Sequence, residues 1–96
     1  YYTIMPSVYD KSQQSYRVDF ACQTMLNFAK RGGSRSDLNP SRKFDTCFEM
    51  GDGDMVAAKV YRRALKNPRL MDVLPMFLSV NSVKKCYEEL LAPQEK

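Results

Sequence analysis

Residues 51–68 read GDGDMVAAKVYRRALKNP. Two glycines alternate with two aspartates, and apolar residues then recur every three or four positions through Val56, Ala57, Val60, Tyr61, Ala64 and Leu65. That period gives a helix with one wide apolar face. The acidic turn ahead of it suits a cation, a phosphate or a helix start. A calcium loop needs oxygen ligands at fixed spacing, with a glutamate twelve positions along when the first ligand is counted as one. Counting from Asp45, Asp52 or Asp54 ends on Val56, Arg63 or Leu65, so no register supplies it. The phosphate-loop pattern G-x-x-x-x-G-K-[ST] and the dinucleotide turn G-x-G-x-x-G are absent too. The stretch reads as a helix–turn–helix junction. Gly51 closes the first helix, and Asp52 or Asp54 caps the second, because a carboxylate there accepts from free backbone N–H groups at the positive helix end.

Working upstream, Asn39-Pro40 supplies an N-cap and a first-turn proline for a helix that ends near Met50, with Phe44, Cys47 and Phe48 as its apolar stripe. Before it, RGGSRSDLN reads as a basic loop. From Ser15 to Arg31, Val18, Ala21, Cys22, Met25, Phe28 and Ala29 recur at helical spacing, and Phe20 and Leu26 widen that face. Lys30 and Arg31 suit its negative end, and Gly32 suits a left-handed cap. Residues 1–14, with Tyr1, Tyr2 and Tyr9, show no helical period and read as an irregular, tyrosine-rich arm.

Working downstream, Asn67-Pro68 stops one helix and can cap another. RLMDVLPMFLSV is apolar nearly all round and reads as the most buried element, with Pro75 as a break unless Asp72 caps a helix that starts there. Asn81 or Ser82 caps a last helix with Val83, Cys86, Tyr87, Leu90 and Leu91 on one face, and Pro93 ends it. No strand-like alternation occurs. The expectation is an all-α domain over residues 15–93, with about five short helices packed as antiparallel hairpins and a tail at 94–96.

Composition narrows the chemistry. The chain has 96 residues, a net charge of +4 and no histidine, which removes histidine acid–base catalysis and most zinc sites. Cys22, Cys47 and Cys86 are odd in number, far apart and on apolar faces. They read as inert reduced thiols of an intracellular protein rather than as nucleophiles or a disulfide framework. No apolar run is long enough to span a membrane, and the first residues lack a signal-peptide core. Asp52 and Asp54, as exposed caps, lack the burial that acid–base work needs. No catalytic residue, metal ligand, cofactor or small-molecule substrate is expected.

The block FDTCFEMGDGDMVAAKVYRRALKNP, residues 44–68, resembles a helical-hairpin repeat of the tetratricopeptide, pentatricopeptide or half-a-TPR kind. The likeness lies in an aromatic-bearing helix, a Gly-Asp turn, and the A-x-x-x-Y-x-x-A-L spacing of Ala57, Tyr61, Ala64 and Leu65. Residues 70–93 echo it through Val83, Tyr87, Leu90 and Pro93. The turn carries one extra residue, Pro68 comes one position early, and Ser41 stands where a large aromatic belongs. The resemblance implies a non-catalytic scaffold or adaptor that binds a helix or peptide of another protein. Its pentatricopeptide side implies RNA instead, contacted at phosphates through Lys59, Arg62, Arg63 and Lys66, which share one helix face. A helix–turn–helix DNA reader fits less well, since no helix clusters the Arg, Asn and Gln that read bases.

Overall fold

The computed structural model describes residues 5–32, 42–49 and 51–94, with side chains from residue 14 in the first helix and residue 44 in the second. Five α-helices follow one another: α1, Met5–Lys30; α2, Arg42–Glu49; α3, Gly53–Lys66; α4, Pro68–Phe77; and α5, Val80–Leu90. A 3-10 turn, Ala92–Gln94, follows α5. The fold is all-α, with no strand among the described residues.

The first helix is longer than its apolar period. Residues 5–14, expected as an irregular arm, continue it without a break. Pro6 falls in its first turn, where a missing N–H costs nothing. Val18, Ala21, Cys22, Met25 and Phe28 are buried, with Phe20, Leu26 and Ala29 packed at the edge. The helix closes as expected: the N–H groups of Arg31 and Gly32 bond back to Asn27 and Ala29, and Gly32 takes φ 67°. The basic loop beyond Gly32, the Asn39-Pro40 start, Met50, residues 1–4 and residues 95–96 lie outside the described residues.

The core forms where α1, α2, α3 and α4 meet, and α5 packs chiefly along α3. Phe77 of α4 joins the layers: its ring lies 5.3 Å from Phe28 of α1 in an edge-to-face pair and 5.1 Å from Phe44 of α2. Burying Phe28 and Phe44 contributes on the order of 1.5–3 kcal/mol each. On α3, Val56, Ala57, Ala58, Val60, Tyr61 and Ala64 are buried, and the Tyr61 ring meets Tyr87 of α5 at 5.5 Å. Leu65, expected on that face, is 51% exposed, while Ala58 takes a buried place. With α1 on one flank and α5 on the other, α3 buries a face rotated away from Leu65.

One cap follows expectation and one differs. Asn67, rather than the alternative Asp72, caps α4: its Oδ1 accepts from the N–H groups of Arg69 at 3.2 Å and Leu70 at 3.4 Å. Pro75 therefore sits inside α4, and the helix ends two residues later at Phe77. Helix α5 starts earlier than Asn81 or Ser82 allow, with Ser79 at the N-cap position and no side-chain cap bond. Tertiary packing of Val80 and Val83 draws the helix start forward.

Candidate functional site

Asp52 occupies the N-cap position of α3, but its side chain makes no cap bond. Its backbone carbonyl accepts from Met55 and Val56 at 3.0 and 3.1 Å, while its carboxylate turns to α1. Oδ1 accepts from Arg17 Nη1 at 2.6 Å and Oδ2 from Gln14 Nε2 at 2.8 Å. These bonds from Gln14 and Arg17 hold the Asp52 carboxyl below the ordinary carboxylate range. Asp54 lies in the first turn, exposed, where its charge suits the helix end. The expected acidic cap is thus a tertiary clasp at Asp52.

Arg17 completes the clasp. It is the one buried charged residue among those described. Its Nε and Nη2 donate to the Cys47 carbonyl at 3.2 and 2.8 Å. That carbonyl lies in the last turn of α2, where helical partners run out. One guanidinium therefore satisfies the negative end of α2 and pairs with the acidic residue at the positive end of α3. Close approach of the two helices completes the junction: a Cβ on Gly53 would overlap the Phe48 carbonyl oxygen and lie 2.8 Å from its carbon. A Cβ on Gly51 would meet nothing within 4 Å.

Beside the clasp, α1 and α2 leave an open, mainly apolar groove of about 270 Å³ lined by Tyr16, Arg17, Phe20, Thr46 and Cys47. Tyr16 and Phe20, one turn apart, hold their rings 6.0 Å from each other at its lip, and Tyr16 is 65% exposed. Tyr16 continues the tyrosine-rich end of the sequence, whereas Arg17 belongs to no sequence motif. A charged residue one turn before Ala21 and Met25, in step with the apolar stripe, was the available signal for Arg17.

Of the four basic residues of α3, Lys59 and Arg63 reach α1. Lys59 Nζ donates to Gln14 Oε1, and Arg63 Nη1 pairs with Asp19 Oδ1 at 2.6 Å. Arg62 is half-buried and Lys66 exposed. Asp19 thus offsets the charge of Arg63, while Gln14 gives Lys59 a neutral acceptor. The three thiols are all pushed up by burial, that of Cys22 against the opposing pull of Arg63. At neutral pH they stay protonated and weakly nucleophilic. Among the described residues, no group of cysteines and carboxylates is placed to hold a metal ion. No helix there is long and apolar enough to cross a membrane.

Comparison with protein-family models, with curated proteins and with solved structures gives no match.

Proposed function

We propose that the chain is a non-catalytic interaction module, a scaffold or adaptor domain, that receives a helix or peptide of another protein in the groove between α1 and α2. The observation that carries this reading is the ring pair of exposed Tyr16 and half-buried Phe20 beside a groove open to solvent. Aromatic rings with one polar edge give large contact area at low entropic cost, and they recur at protein interfaces. Arg17 and Cys47, two of the groove's lining residues, are bonded to each other across α1 and α2, and such pre-ordering lowers the cost of binding. A helical-hairpin repeat would serve the same role and remains part of the proposal.

The RNA reading has less support, since Lys59 and Arg63 are engaged with α1 rather than standing as a free basic face. Capture of partners with and without nuclease separates the two. Nuclease-resistant capture that disappears in the Tyr16→Ser/Phe20→Ser variant supports the module. Capture that nuclease abolishes, in a manner sensitive to Arg62→Glu, supports RNA.

A further inference from the structure

Nearer the C-terminal end of α1, a second groove of about 380 Å³ is lined by Gln23, Leu26, Asn27, Lys30, Asn67 and Arg69. Two of its side-chain amides can donate. Gln23 Nε2 donates to Asn27 Oδ1 at 3.0 Å, which occupies the Asn27 acceptor and leaves its amide N–H groups available. Asn67 Oδ1 is occupied by the N–H groups of Arg69 and Leu70, which leaves the Asn67 Nδ2 group available in the same way. Lys30 and Arg69 add two cations, and among the described residues no carboxylate lines the groove. Lys66 and Arg31, both exposed, adjoin it in sequence.

We propose that this groove binds a phosphate monoester, held by Lys30 and Arg69 with the side-chain amides of Asn27 and Asn67. Two cations match a group that carries about −1.5 to −2 charge at neutral pH and three acceptor oxygens. A guanidinium with neighbouring amides suits the fixed directions of those oxygens. Single-stranded nucleic acid is the weaker match, because it uses aromatic side chains as stacking platforms and none lines this groove among the described residues. The site is independent of the reading given to the α1–α2 groove, and it lies clear of the clasp.

The test is an amide NMR titration at constant ionic strength with O-phosphoserine, with serine as blank. Parallel titrations use a Gly-Ser peptide bearing one phosphoserine, and oligouridylate. Saturable shifts confined to residues near Asn27, Lys30, Asn67 and Arg69 are expected. Binding should weaken about tenfold in Lys30→Gln/Arg69→Gln, which removes both charge-assisted contacts. The exposed positions of Lys30 and Arg69 leave the core intact, so the variant's unliganded spectrum stays dispersed. Equal affinity for the amino acid and the peptide assigns a small phosphorylated ligand. Tighter binding of the peptide assigns a phosphorylated protein segment. Non-saturating shifts, shifts unchanged in the variant, or tighter binding of oligouridylate at the same residues would overturn the proposal.

Discussion

Arg17 Nη1 stands 2.6 Å from Asp52 Oδ1, while the same guanidinium donates to the Cys47 carbonyl. Thirty-five residues separate the pair in sequence, so one side chain ties α1 to both ends of the α2–α3 junction. Replacing Arg17 with Met removes the pair and takes two donors from the Cys47 carbonyl. The expected loss is about 2 kcal/mol, read from denaturant midpoints. Lys at this position restores the charge but not the fork, and should recover only part of that loss.

The same pair sets a pH dependence. Asp52 has a lower pKa folded than unfolded, through its bonds from Gln14 and Arg17. The folded state therefore binds fewer protons there. Its stabilisation is complete above the ordinary aspartate value of about 3.9 and is lost as pH falls through the lower folded value. The stability gap between the natural chain and Asp52→Asn should narrow below about pH 4. A gap constant from pH 7 to pH 3 would show that the carboxylate contributes nothing by its charge.

The two glycines of the acidic turn should behave oppositely. Gly53→Ala forces a Cβ into the Phe48 carbonyl and should cost about 1–3 kcal/mol. Gly51 has free space and no positive φ, so Gly51→Ala should be neutral or stabilise by about 0.4–1 kcal/mol. Equal melting shifts for the two would contradict the close approach of α2 and α3.

Ala64 is 2% exposed, on a helix flanked by α1, α4 and α5. Ala64→Leu should overpack that contact and cost about 1–3 kcal/mol. Leu65→Ala, at an exposed neighbour, should stay within about 0.5 kcal/mol of the natural chain. Thermal melts of the two variants check the burial order along α3.

Millimolar calcium should leave the melting temperature unchanged. Both Asp52 carboxylate oxygens already accept from α1, and a cation there would have to displace a guanidinium. A calcium-dependent rise would show a ligand that prefers the folded state.

The helical class was legible because apolar residues recur with the helix period from Val18 to Ala29, from Val56 to Ala64 and at Val83 and Leu91. Asn67-Pro68 carried its own local signature, though the choice of Asn67 over Asp72 as the cap of α4 needed the structure. Residues 5–14 were not legible, because they have a weak apolar stripe, and Pro6 was the one local sign of a helix start. Asp52 was placed at the right turn with the wrong bond. Cap propensity is local, and the guanidinium that claims its carboxylate comes from another helix. The basic flank of α3 was likewise legible as a stripe, whereas Asp19 and Gln14, which face Arg63 and Lys59, come from α1.

Photo-crosslinking from position 16 tests the interaction reading most directly. A photoreactive phenylalanine analogue replaces exposed Tyr16, and the same analogue at exposed Lys84 on α5 serves as control. The interaction reading predicts discrete protein adducts from position 16 that resist nuclease and are absent from position 84. Adducts to RNA alone, or the same adducts from both positions, would contradict it.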